Sequence, residues 1–160
     1  MSSPEFRRAV SERAASCRKL LSLVTRDHPR FGGYESEPVS GWIVFVPARH
    51  VRTDLGAVWL SVEEILTGEQ ASVLEYKYTL SDAQSGREIF AYHLHPGKIS
   101  TPHFHLGAAA GVLAEPLYKA HFPTGGAVPL GELIRLIVRD LGARPLRPNW
   151  EQILDEPPAR

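Results

Sequence analysis

Three runs between Leu74 and Leu106 alternate apolar and polar residues with a period of two, a pattern that fits extended strands and not helices. Leu74, Tyr76, Tyr78 and Leu80 alternate with Glu75, Lys77 and Thr79, which gives a strand with one apolar face. A turn from Ser81 to Arg87, containing Asp82 and Gly86, closes a hairpin. The returning run, Glu88 to His95, places Phe90, Tyr92 and Leu94 on one face and Ile89, Ala91, His93 and His95 on the other. Pro96-Gly97 starts the next turn, His103 to Leu106 alternates again, and Leu117 to Phe122 supplies one further strand. Upstream, Trp42 to Val46 reads as a mostly buried strand that stops at Pro47, and Val58-Trp59-Leu60 as another. Ser61-Val62-Glu63-Glu64 fits both a capping box opening a short helix and a continuing strand. Asp27 to Pro38 is punctuated by turn residues and reads as a connection.

Both ends of the chain carry helical spacing instead. Ser3 suits an N-cap with Pro4 at the first helical position, and Phe6, Val10, Ala14, Cys17, Leu21 and Val24 recur every three or four residues, so a helix is expected over about 4–25. Leu130, Leu133, Ile134, Ile137, Val138 and Leu141 form a second stripe that ends at Gly142, a helix over about 129–141. A short helix near Asn149 would anchor through Trp150, Ile153 and Leu154. These elements define an α+β fold, an antiparallel meander of four to six strands packed by the N-terminal and C-terminal helices. At 160 residues the chain fits a single domain, with 1–40 as helix and connection and 143–160 as a C-terminal extension.

Composition narrows the function classes. The 18 basic and 18 acidic residues cancel, so no global field attracts nucleic acid or membrane. The one cysteine, Cys17, excludes an internal disulfide and a Cys-based zinc motif, and its place on the helical stripe makes it a small core residue. The first residues lack an apolar signal region, and the most apolar run has only strand length. A cytoplasmic chain that does not engage membranes is the expectation.

Four of the seven histidines, His93, His95, His103 and His105, form two His-x-His elements on successive strands. Alternation sends each pair to one face, and their shared odd parity puts all four on the same face of the hairpin. Opposed Cβ atoms lie about 4.5 to 5.5 Å apart, within reach of one metal ion or one substrate atom. Neutral imidazoles suit zinc, iron, nickel or copper. Without a metal, paired histidines act as general acid and base in phosphodiester cleavage. His121 has the same parity and joins as a catalytic candidate, and Lys98, Arg87 and Thr124 are candidate phosphate contacts, Thr124 lying just before a helix start. Glu75 and Lys77 share the polar face of the neighbouring strand as supporting partners.

Two families are similar to parts of this pattern. Pro96-Gly97 followed by Pro102-His103-Phe104-His105 resembles the first metal motif of cupins, with Ala109 and Ala110 where that motif carries its Glu. The order Gly86, Tyr92, Gly97-Lys98, His103-Phe104-His105, Tyr118 to Phe122 and the helix over 129–141 resembles the TumE-type toxins of bacterial toxin-antitoxin pairs, with residues 1–70 extra. That second likeness implies an intracellular RNA-directed or interaction protein. The expected activity is therefore a histidine-centred hydrolase or ribonuclease acting on RNA or a phosphorylated small molecule. The alternatives are a cupin-like metal-binding protein and a non-catalytic, antitoxin-like domain that meets a protein partner or a second copy through an apolar patch around Trp150, Ile153 and Leu154.

Overall fold

Each strand of the chain pairs antiparallel with the one that follows it, so the sheet order is the chain order. The computed structural model describes residues 3–26, 30–36, 39–54, 56–67, 70, 72–95, 99–111 and 122–156, with 30–50 described by their backbone. The strands are β1 (Arg30–Ser36), β2 (Val39–Thr53), β3 (Gly56–Thr67), β4 (Ser72–Asp82), β5 (Glu88–His95), β6 (Ile99–Leu106) and a two-residue β7 (Phe122–Pro123). Helix α1 (Pro4–Leu21) precedes the sheet, and α2 (Leu130–Arg139) and α3 (Trp150–Asp155) follow it. This is the expected α+β meander, with six long strands and a short seventh among the described residues.

Three local expectations give way to pairing between strands, and one choice left open between helix and strand is settled by it. β1 occupies residues read as a connection, because backbone partners on the long β2 hold even Gly32 and Gly33, opposite Ile43 and Trp42. β2 runs past Pro47, and its register shifts between Val46 and Arg49, an irregularity that accommodates a residue with no N–H to donate. Ser61 to Glu64 is strand rather than helix, since β2 and β4 flank it, with Glu63 opposite both Phe45 and Lys77. β6 starts at Ile99, before His103. Helix α1 ends at Leu21 instead of near 25, where the chain turns and the Ser22 N–H bonds the Arg18 carbonyl. Of the strand expected over 117–122, only Phe122 falls within the described residues.

Helices cover one face of the sheet. Val10, Ala14, Cys17 and Leu21 of α1, the α2 stripe Leu130, Leu133, Ile134, Ile137 and Val138, and Ile153 and Leu154 of α3 are all buried. Most pack in one core with Leu60, Val62 and Leu66 of β3 and Tyr76, Tyr78 and Leu80 of β4. Burying side chains of this size stabilises the domain by about 1.5 to 3 kcal/mol each before the entropic cost of ordering them. Ile153 and Leu154 are only 4% and 7% exposed, so the apolar patch anticipated there is part of the core and not a free surface.

One charge sits inside that core. Glu64, on β3, has no exposed surface, yet every oxygen is used. Arg13 of α1 donates through Nε (2.8 Å) and Nη2 (2.5 Å), the Tyr78 hydroxyl donates to Oε1 at 2.6 Å, and the Cys17 thiol approaches Oε2 at 3.8 Å. Burial works against the Arg13 charge, but the Glu64 bonds outweigh it and hold the guanidinium above its usual range. Burial, reinforced by the Glu64 charge, pushes the Tyr78 hydroxyl well up and the Cys17 thiol up to about 12. Cys17 is thus an inert core residue, as its helical position implied.

Candidate metal centre

The opposite face of the same sheet carries the histidines. β5 and β6 place His93 directly opposite His103 and His105 opposite Ala91, and His93 also faces Lys77 on β4. The odd-numbered histidines therefore share one face, as alternation required, while Tyr92, Leu94 and Phe90 pack toward the helices. Ring centroids lie 4.9 Å apart for His93 and His95, 4.6 Å for His93 and His105, and 5.8 Å for His93 and His103.

Three of these rings join two carboxylates in a row. Glu75 Oε2 lies 3.5 Å from His95 Nδ1, His95 Nε2 lies 2.8 Å from His93 Nδ1, His93 Nε2 lies 3.1 Å from His105 Nε2, and His105 Nδ1 lies 3.0 Å from Glu88 Oε1. A carboxylate accepts only, and a neutral imidazole has a single N–H, so three rings supply three protons to four contacts. Glu88 takes the N–H of His105, which leaves His105 Nε2 with a lone pair. With its proton on Nε2, His93 donates to that lone pair and accepts from His95 Nε2, and the 3.5 Å contact of His95 with Glu75 is the one left without a proton. With its proton on Nδ1, His93 donates to His95 and His95 to Glu75, and the Nε2 lone pairs of His93 and His105 face each other, a contact that a cation between them relieves. Two nitrogens bound at 2.0–2.1 Å to one tetrahedral zinc would lie about 3.3 Å apart, close to the observed spacing. Burial, then the neighbouring His105, His95, Lys77 and His103, pushes His93 down to about 3, so it keeps its lone pair at neutral pH.

Glu88, His93 and His105 each offer a donor atom within 4.8 Å of the other two, so this group could hold a metal ion. Sequence reasoning missed Glu88, and the reason is a change of register. Leu80 pairs with Phe90 but Ser81 pairs with Glu88, so one residue of β5 is extra there. Even-numbered Glu88 is thereby carried to the odd face. Its backbone is fixed by the loop after β6, where the Gly107 N–H donates to the Ile89 carbonyl at 2.8 Å and the Ala109 N–H to the Glu88 carbonyl at 2.9 Å. A Cβ on Gly107 would lie 2.1 Å from the Glu88 carbonyl oxygen, so only glycine permits this approach. The small-residue stretch from Gly107 is accordingly a brace for Glu88.

The other expected residues are dispersed. His103 is 3% exposed and its Nδ1 lies 2.8 Å from the Thr101 carbonyl, which leaves it beside the row and outside the ligand group. Arg87 is exposed at the turn before Glu88, and its carbonyl accepts from the Asp82 N–H. Thr124 follows β7 and its hydroxyl donates to the Gly126 carbonyl. Lys98 and His121 lie outside the described residues. Glu75 stands beside His95 and Lys77 beside His93, the supporting positions expected of them.

No protein-family model, curated protein or solved structure matches the chain.

Proposed function

We propose that the protein is a divalent-metal hydrolase acting on a phosphodiester, with Glu88, His93 and His105 as the metal group. The observation that carries this reading is the grouping of Glu88, His93 and His105, whose donor atoms all lie within 4.8 Å of one another and whose two Nε2 atoms approach to 3.1 Å. Two imidazoles and one carboxylate form a set that takes zinc in hydrolytic centres, with iron, nickel and copper as competitors. Such an ion polarises a phosphoryl oxygen and lowers the pKa of a water. With the ion bound, His95 Nε2, 2.8 Å from His93 Nδ1, would accept the His93 proton and so orient the His93 Nε2 lone pair toward the ion, with Glu75 behind His95. Lys77, exposed and cross-strand from His93, supplies a positive charge for an anionic substrate. The likeness of residues 76–141 to TumE-type toxins makes RNA the first phosphodiester to test.

Zinc-loaded protein is expected to hydrolyse bis(p-nitrophenyl) phosphate and RNA, with at least a 100-fold loss on chelation and in His93→Ala and His105→Ala. Undiminished cleavage under chelator would instead favour metal-free acid–base chemistry, in which a proton occupies the His93–His105 contact. Bound zinc without turnover of either substrate would overturn the hydrolase reading.

A further inference from the structure

The helix side of the sheet carries a second polar feature that owes nothing to the histidines. Two grooves of about 710 and 540 Å³ adjoin there, sharing Thr25, Arg26 and Leu146 in their walls. Arg18, Lys19, Arg26, Arg52, Arg144 and Arg147 line them, against Asp54 as the one lining carboxylate among the described residues, in a chain whose total charge is zero. The grooves are built features. Asp54 N–H bonds the Leu141 carbonyl, and Gly142, at φ +68°, lies so close that an added Cβ would be 2.0 Å from Asp54 Oδ2. The Leu146 N–H bonds the Leu23 carbonyl and ties the C-terminal segment to the end of α1. The sequence places these cations on three segments, at and just after the end of α1, on β2 and beyond α2, and only folding gathers them.

Their pairing state separates them from ordinary surface charge. Lys19 has an ion-pair partner in Glu156, and the nearby Arg139 and Arg135 pair with Glu151 and Asp155. Arg26, Arg52, Arg144 and Arg147 are exposed and have no ion-pair partner among the described residues. Four arginines left unpaired around two adjoining grooves concentrate positive potential along a track. They are spread over both grooves, Arg147 on one, Arg52 and Arg144 on the other and Arg26 on both, and no aromatic side chain among the described residues lines either.

We propose that this paired groove binds the phosphodiester backbone of single-stranded nucleic acid. Guanidinium groups spread along two adjoining grooves suit a run of phosphates better than one, and with no aromatic side chain among the described lining residues for base stacking, recognition is sequence-tolerant and dominated by counterion release. The groove lies across the sheet from the histidines, and the inference does not depend on the metal centre.

Fluorescence anisotropy with a labelled 20-nucleotide RNA, and a DNA of the same sequence, tests it on the full chain. Four phosphate contacts on a single strand predict a loss of about 50-fold in affinity between 50 and 200 mM salt. Arg26→Glu/Arg147→Glu should weaken binding at least 10-fold, while Arg7→Glu/Arg8→Glu, an equal charge change at the other end of α1, changes it less than twofold. Arg26→Gln/Arg147→Gln, with a smaller charge change, should give an intermediate loss if the first variant does not fold. RNA and DNA binding alike support a backbone reader. No binding at 50 mM salt, equal weakening by both glutamate pairs, or equal affinity for poly-glutamate would overturn the proposal.

Discussion

The two faces of this sheet each hold a cluster of ionisable groups, and they are finished to different degrees. On the helix side, Glu64 is wholly buried and both of its oxygens are met by donors from Arg13, Tyr78 and Cys17. On the other side, the row from Glu75 to Glu88 has acceptors at both ends and only three imidazole protons for its four contacts. The first cluster is complete with protein atoms alone and joins α1 to the sheet. The second has one contact more than it has protons, and an added cation fills it. That asymmetry, more than the number of histidines, distinguishes a structural ion pair from a site.

The largest effect is expected where the completed cluster is broken. Arg13→Met leaves the Glu64 charge buried with only Tyr78 and Cys17 as donors, and urea unfolding should show a loss of about 3 to 5 kcal/mol. A loss below about 1 kcal/mol would mean that water reaches Glu64 and that the contrast between the faces is weaker than described.

Acid is the next way to sharpen the comparison. The folded metal-free protein holds His93 near 3, below its ordinary value of 6.5, so the unfolded chain binds a proton that the folded chain refuses. Stability contributed by neutral His93 is therefore present above pH 6.5 and lost as pH falls from 6.5 toward 3, by up to about 1.4 kcal/mol per unit. His93→Asn should flatten that part of the pH–stability curve, and an unchanged slope in the variant would remove His93 as its cause.

A smaller and more local effect belongs to Gly107. An alanine there must displace the Glu88 backbone, so Gly107→Ala should lower zinc affinity about 10-fold while far-ultraviolet circular dichroism stays native. Unchanged affinity would show that Glu88 is neither a ligand nor an orienting partner.

Much of this was legible in the residues because period-two alternation is a local signal. Strands β4 and β5, the shared face of the histidines and the stripe of α2 follow from spacing alone. What escaped depends on partners distant in the chain. The glycines of β1 read as turn residues until β2 supplies their ladder, and Glu64 reads equally as part of a helix cap or of a strand until β2 and β4 flank it and Arg13, 51 residues away, reaches it. Glu88 was hidden by its own numbering, since strict alternation assigns it to the apolar face and only the extra residue before Phe90 turns it over. Ile153 and Leu154 looked like a docking patch because nothing local shows which face of a six-residue helix meets the core.

Isothermal titration calorimetry of zinc into the metal-free, untagged protein at pH 7.5 tests the central claim most directly, with His93→Ala, His105→Ala and Glu88→Gln beside it. The account predicts one site per chain in the native protein, abolished by either alanine variant and weakened at least 10-fold by Glu88→Gln. A native protein that takes up no zinc, iron, nickel or copper under these conditions, or one whose uptake survives both alanine variants, would contradict it.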